Sequence, residues 1–175
     1  MRQWTATQGR GRDEEFTAFV DARRVRLYRT AYLLCGDAHR AEDIVQQALA
    51  KLYASWRRVR RADSVDAYAR RSVVNAFIDD GSRPWRREVV GDVADDRAAP
   101  AGLSHEDADE LWAALGALPP GQRRVVVLRH YWGLSVEETA ADLGISPGTV
   151  KSQTSAALAR LREALVPAET GGEHR

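Results

Sequence analysis

The 175 residues carry 44% hydrophobic side chains, which excludes a disordered chain and leaves room for one medium domain or two small ones. The single cysteine, Cys35, excludes an internal disulfide, and no apolar run reaches the length of a membrane span. The net charge of +1 hides an uneven spread, with 18 Lys+Arg against 12 Asp+Glu in residues 1–90, one against seven in 91–118, and seven against six in 119–175: a basic front, an acidic joint and a near-neutral back, as in a two-part protein.

Residues 1–12 (MRQWTATQGRGR) are basic, lack the apolar segment of a signal peptide and read as a loose tail; the chain is expected in the cytoplasm. Asp13 is placed to cap a helix running to about Cys35, with Phe16, Phe19, Val20, Leu27, Ala31 and Leu34 on one side. Gly36 ends it and Asp37 caps the next. That second helix is expected to reach Arg61, with Ala41, Ile44, Val45, Ala48, Leu49, Leu52 and Trp56 as its apolar stripe. After a break at 62–64, Ser64 caps a third helix from Val65 to about Asp80, with Val65, Tyr68, Ala69, Val73, Ala76 and Phe77 available for packing. No strand pattern with turn signals is present, so residues 13–87 read as a small helical bundle.

Residues 88–104 are rich in Ala, Gly, Pro and acids without a helical period, and read as a flexible linker. A helix follows from about His105 to Leu118, with Leu111, Trp112, Leu115 and Leu118 apolar. Pro119 and Pro120 break the chain and start another helix through Tyr131. The stretch Ser135–Leu165 then carries the strongest local pattern. Ser135 and Glu138 have capping-box spacing. Ala140 is small where a crossing helix passes, Gly144 supplies turn freedom, and Ser146-Pro147 opens a second helix. Val150, Ala157, Leu158, Leu161 and Leu165 give that helix an inward stripe. Such a helix-turn-helix lays its second helix in a DNA major groove; an ordinary packed helical pair is the plainer reading. A second small helical domain over 105–167 and a polar tail at 168–175 complete the chain.

Three further groups bear on chemistry. Asp43, Gln46 and Gln47 lie within about a turn, and Asp43 and Gln47 share a face; they form either a patch for a partner protein, with Trp56 beyond it, or a solvated face beside a core tryptophan. Trp56–Arg61 (WRRVRR) suits either nucleic-acid phosphates or a helix-dipole complement. Residues 70–87 (RRSVVNAFIDDGSRPWRR) combine Arg71, Asn75, Phe77, Trp85, Arg86 and Arg87, a mixture suited to single-stranded bases and phosphates. Asp79 and Asp80 oppose that use, or cap and pair with neighbouring arginines. The four histidines lack zinc-ligand spacing, no phosphate-cradling glycine loop occurs, and no nucleophile has an activating context. The expectation is therefore no metal, no cofactor and no enzymatic activity.

With these parts in place, residues 13–166 resemble the bacterial sigma factors of the extracytoplasmic-function group, of the small two-domain type and most like an actinobacterial subfamily. AEDIVQQALAKLYASW resembles the helix that binds core RNA polymerase. ALPPGQRRVVVLRHYWGLSVEETAADLGISPGTVKSQTSAALARLREAL resembles the fourth region of these proteins, with LPPGQR, a Leu-Ser cap and SPGTVKSQ in order. The resemblance implies an all-α fold and a role in directing RNA polymerase core to promoter DNA. It implies that Asp43, Gln46 and Gln47 meet the clamp helices of the largest polymerase subunit, which favours the docking reading of that patch. Asn75 matches a position near a captured base of the downstream element. Thr149, Lys151, Ser152 and Gln153 match the reading end of the helix at the upstream element, and Ser155 lies beside them. The fourth region is expected to meet the polymerase flap as well, and an anti-sigma factor is a further expected partner.

Two departures from the pattern stand out. Ala156 occupies a position that is usually basic, and Asp79, Asp80 and Gly81 stand where arginines or aromatics are usual, which puts promoter melting in question. Two other readings therefore remain. One is a helix-turn-helix regulator acting without polymerase; the other is a decoy that occupies core without opening DNA.

Overall fold

The computed structural model of the protein describes the backbone of residues 3–81 and 105–165, and the side chains of 11–81 and 110–164. The expected linker at 88–104, the tail at 168–175 and the candidate residues Arg86 and Arg87 lie outside them. The described residues are helical, without a strand. The chain divides into two units, 1–105 and 106–175, each described by itself.

The first unit holds α1 (Gln3–Cys35), α2 (Ala38–Ala54), α3 (Trp56–Val59) and α4 (Val65–Gly81). Its first two long helices meet at a tight turn. Gly36 takes a left-handed φ of 71°, open to glycine without a Cβ penalty. Asp37 then caps α2 by accepting the Arg40 amide at 2.6 Å. The expected stripe is the buried one: Ala41, Ile44, Val45, Ala48, Leu49 and Leu52 all face inward. They meet Leu27, Ala31 and Leu34 of α1 and Val73, Val74, Ala76 and Phe77 of α4 in one core. Ile44 is wholly buried, so Ile44→Ala there is worth about 2–5 kcal/mol. Ser64 caps α4 by accepting the Ala67 amide at 3.1 Å.

Two expectations fail here. The loose tail at 1–12 and the cap at Asp13 give way to a helix that already runs from Gln3; Asp13 lies inside it, and its carboxylate accepts from the Tyr53 hydroxyl at 2.6 Å. The second helix does not run to Arg61. Ser55 breaks it with a φ of −99° and ψ of 6°, and α3 sets off as a separate turn with Trp56 and Val59 buried.

The second unit holds α5 (His105–Gly116), α6 (Pro120–Val126) continuing into a π-turn at Val127–Tyr131, α7 (Val136–Leu143) and α8 (Pro147–Leu165). Pro120 opens α6 at a position where no amide hydrogen is missed. Arg123 closes the end of α5: its guanidinium donates to the carbonyls of Leu115 (3.0 Å), Gly116 (3.2 Å) and Leu118 (3.0 Å) and lies 4.7 Å over the Trp112 ring. Leu115 and Leu118 are buried, but Leu111, apolar by type, is 41% exposed. The Trp132 amide donates to Val127 at 3.2 Å, closing the wider π-turn before Gly133.

The helix-turn-helix forms as its sequence requires. The Glu138 amide donates to Ser135 Oγ (3.0 Å), and the Ser135 amide donates to Glu138 Oε2 (2.7 Å). Gly144 carries the turn with a left-handed φ of 64°, where any side chain is strained. Val125, Ala140 and Val150 form the core between α6, α7 and α8, flanked by Val136, Leu143 and Ile145. The small Ala140 is what lets α8 cross α7 closely.

Candidate nucleic-acid and partner interfaces

On α8 the inward positions are Val150 and Ala157, with Gln153, Thr154, Leu158 and Leu161 half-buried. The helical period leaves Lys151, Ser152, Ser155 and Ala156 exposed on the opposite side. The first turn is fixed by Ser146, whose Oγ accepts the Thr149 amide at 3.1 Å. Thr149 is half-buried and its hydroxyl is 2.8 Å from Ser146 Oγ, so it serves the cap. Gln153 does not lie on the exposed face with Lys151. Its carboxamide rests on Gly121 of α6, where a Cβ would meet Oε1 at 3.0 Å. A side chain at position 121 would displace it, which gives the glycine of LPPGQR a packing reason. The Arg160 guanidinium, further along, donates to Gln122 Oε1 at 2.9 Å. The open polar face of the first turns of α8 is therefore Lys151, Ser152 and Ser155.

On α2, Asp43 and Gln46 are exposed and Gln47 is half-buried. Gln46 donates to Glu42 Oε1 at 3.0 Å, and Glu42 accepts from Arg24 at 2.5 Å. Asp43 thus stands beside an ordered row of polar groups. Trp56 does not belong to this face. It is 4% exposed and packs against Phe16 and Phe19, with ring centroids 5.1 and 5.2 Å away. Burial of its ring in the aromatic cluster makes it a core side chain.

On α4 the exposed residues are Tyr68, Arg71, Asn75, Ile78, Asp79 and Gly81, with Tyr68, Arg71, Asn75, Ile78 and Asp79 in helical register on one face. The Arg71 guanidinium lies 5.7 Å over the Tyr68 ring. Tyr68, available for packing by its type, is 36% exposed. Its spacing of seven from Asn75, two helical turns, was the signal that places it on the Asn75 face. An aromatic ring, an amide and a guanidinium in one row can stack, read edges and neutralise phosphate.

Asp79 and Asp80 do not stand free beside this row. Asp79 pairs with Lys51 at 3.0 Å. Asp80 is 1% exposed and pairs with Arg40 at 2.6 Å. Of the WRRVRR arginines, Arg60 pairs with Glu15 at 2.5 Å, while Arg57, Arg58 and Arg61 are exposed and make no ion pair among the described residues. Cys35 is buried; desolvation pushes its thiol up to about 11, against a smaller lowering from its hydrogen bond to the Asp37 carbonyl.

Comparison with known proteins matches this geometry to two family models in the same order. Sigma-70 region 2 matches residues 19–87, and Sigma-70, region 4 matches residues 108–161. The RNA polymerase sigma-E factor of Streptomyces coelicolor is 40% identical over 157 residues, covering 87% of this chain and 86% of that protein. The ECF RNA polymerase sigma factor EcfG of Rhodopseudomonas palustris is 33% identical over 135 residues, covering 75% and 74%. Among solved structures, the sigma factor RpoE of Bartonella quintana, crystallised with the anti-sigma factor NepR, superposes with a TM-score of 0.73 at 26% identity, covering 87% of this chain and 97% of that one.

Proposed function

Since the chain belongs to the sigma-70 family, in its extracytoplasmic-function group, and so binds RNA polymerase core and directs initiation at promoters, we propose that its two units divide that task between the faces described above. In the first unit, Asp43, Gln46 and Gln47 dock on the clamp helices of the largest polymerase subunit. Asn75, with Arg71 and the arginines at 86 and 87, takes the unpaired strand of the downstream element. In the second unit, Lys151, Ser152 and Ser155 enter the major groove of the upstream element, Lys151 serving a phosphate or a guanine edge. Thr149 and Gln153 hold the helix in register from behind. The second unit also meets the polymerase flap.

Residues 88–104 join the units, so that two DNA sites about two turns apart are both reached. The family is one of non-enzymatic initiation factors, and the mechanism is positional: no bond is made by the chain, no cofactor is required, and its work lies in the cytoplasm where polymerase is. An anti-sigma factor that holds the chain inactive belongs to the same proposal, since the Bartonella sigma factor is held by one in its crystal.

The observation that carries this reading is the exposed row Lys151–Ser152–Ser155 on a helix whose N-terminal turn is capped by Ser146. Pairing of Asp79 and Asp80 with Lys51 and Arg40 supports a structural role for these acids over the decoy reading. The test is a pull-down of bacterial core polymerase by the full chain and by Asp43→Arg, followed by run-off transcription. Core binding lost in the variant, with transcripts from the unmodified holoenzyme, is the expected result. Transcripts that survive Asp43→Arg undiminished would remove α2 from the docking face.

A further inference from the structure

The family match to the first unit starts at residue 19, yet α1 begins sixteen residues earlier, at Gln3. The turns just before the match are not idle. Arg12 donates to the Tyr53 carbonyl at 2.7 Å, and its guanidinium lies 4.1 Å over the Tyr53 ring. The Tyr53 hydroxyl donates to Asp13 at 2.6 Å, which raises the phenol above its ordinary value. Glu15 pairs with Arg60 at 2.5 Å. Phe16 sets its ring edge-on to Tyr53 at 5.0 Å and to Trp56 at 5.1 Å. Every one of these contacts ends on the last turn of α2 or on the segment Trp56–Arg60.

That segment needs outside support. A helix of four residues is far below the length that holds itself, so the position of α3 is set by what its side chains touch. Trp56 and Val59 turn inward, and the Trp56 ring meets α1 at Phe16 and Phe19. What α3 and the two residues after it present outward, besides the paired Arg60, is Arg57, Arg58 and Arg61, three cations within five residues. Glu15, Trp56 and Arg60 also line one open hollow with Asp63, Ser64 and Asp66, so the clamped segment and the loop into α4 share a surface.

We infer that the turns Arg12–Phe16 are a positioning clamp, which holds α3 so that Arg57, Arg58 and Arg61 meet the phosphates of the promoter strand that the α4 face captures. This rests on the reading of that face given above. The clamp residues touch no DNA themselves; they act through Tyr53, Trp56 and Arg60. Phosphate contacts fix register without reading sequence, so a misplaced α3 weakens capture of any strand rather than altering which strand is preferred.

The test uses the full chain assembled with core polymerase and a labelled fork-junction DNA taken from the promoter at which that holoenzyme initiates. Glu15→Gln removes the partner of Arg60, and Tyr53→Phe removes the hydrogen bond to Asp13 without changing charge. Glu15→Gln also takes a negative charge away from a surface near phosphates. An electrostatic role alone therefore tightens DNA binding, whereas a positioning role weakens it.

We expect both variants to bind the fork junction about threefold or more weakly, with a shallower salt dependence and with core affinity and melting temperature unchanged. Adding Glu15→Gln to Arg57→Ala/Arg58→Ala/Arg61→Ala should then cost nothing more, because the changes act through the same contacts. Unchanged or tighter binding overturns the inference, and so does weakening that tracks a lowered melting temperature or adds fully to the arginine loss. Asn75→Ala run alongside separates the layers. If it keeps full affinity for the fork junction, the reading of the α4 face fails and the clamp with it; if it loses affinity while Glu15→Gln and Tyr53→Phe do not, the clamp alone fails.

Discussion

Arg40→Ala is expected to destabilise the first unit by about 5 kcal/mol and Asp80→Asn by about 3 kcal/mol, the two ends of the range for breaking a buried ion pair. The asymmetry follows from where water reaches. The Asp80 side chain is 1% exposed and the Arg40 side chain 29%, with Nε and Oδ2 2.6 Å apart. Without Arg40 a carboxylate is left with almost no solvent. Without the charge of Asp80 the guanidinium keeps part of its hydration and the face of Phe77, 5.6 Å away. Replacing both by apolar residues of similar size should cost much less than Arg40→Ala alone. The assay is urea denaturation of the full chain, read by amide exchange in α2 and α4 so that the first unit is followed on its own. Two losses below about 1 kcal/mol, the size of a surface pair, would refute the reasoning, as would a larger loss for Asp80→Asn than for Arg40→Ala. The same burial changes how the acids of α4 are tested. Asp80→Arg should misfold the unit. Asp79→Arg, at a pair whose side chains are 60% and 59% exposed, is tolerated and asks by itself whether the acid hinders promoter opening; more permanganate-reactive bases than in the unmodified complex would show that it does.

Asp43 is exposed on α2, so Asp43→Arg should leave the fold intact and lower core affinity tenfold or more, about 1.4 kcal/mol or above; anisotropy titration with labelled chain measures it, and equal affinity would remove Asp43 from the interface. Lys151→Ala should weaken upstream-element binding across sequences and reduce the salt slope by about one, whereas Ser155→Ala should alter base preference at one position; footprints at several salt concentrations distinguish the two. The folded Cys35 thiol, raised by burial from 9.0 to about 11, holds a proton that the unfolded thiol gives up. Its stability contribution is therefore complete below pH 9 and declines as pH rises towards 11. A thiol reagent at pH 8 should label the protein only as fast as it unfolds, and labelling as rapid as that of a free thiol would contradict the burial.

Much of this architecture was legible because its signals are local. Asp37, Ser64, Ser135 and Ser146 announce helix starts by side-chain chemistry that acts over three residues. The stripe from Ala41 to Leu52 needs only the helical period. What escaped depends on contacts distant in sequence. The turns of α1 around the expected cap at Asp13 are set against Tyr53 and Arg60, about forty residues on, through Arg12 and Glu15. The break at Ser55 has no proline or glycine to mark it; Trp56 turns in toward Phe16 and Phe19, and the chain bends to let it. Tyr68 and Leu111 look like core residues by type, and only the packing of their neighbours leaves them in solvent. The seat of Gln153 is likewise set by a distant contact: the glycine at 121 leaves room for its amide and the side chain is half-buried.

The reading face of α8 also explains why the second unit is ill suited to act alone. Lys151 is the one cation of its first three turns, and Ala156 adds none where a further base would stand. Arg123 and Arg129 are turned to backbone carbonyls within the unit, of Leu115 and Leu134 among others. Arg160 is bonded to Gln122. Each phosphate neutralised contributes a slope near 0.9 in the salt dependence, and independent duplex binders use about six to ten such contacts. Lys151, with the exposed Arg162 and the half-buried Arg124, supplies half of that or less. Under the proposed division of labour, the unit would gain promoter affinity by being held near DNA rather than by gripping it, and tethering to core through the first unit would supply that proximity as an effective concentration. A regulator using the helix-turn-helix by itself would need more charge than α8 offers. The uneven charge of the sequence fits the proposed roles: the cations are concentrated in the unit proposed to hold the strand, and few stand on the helix proposed to read the duplex.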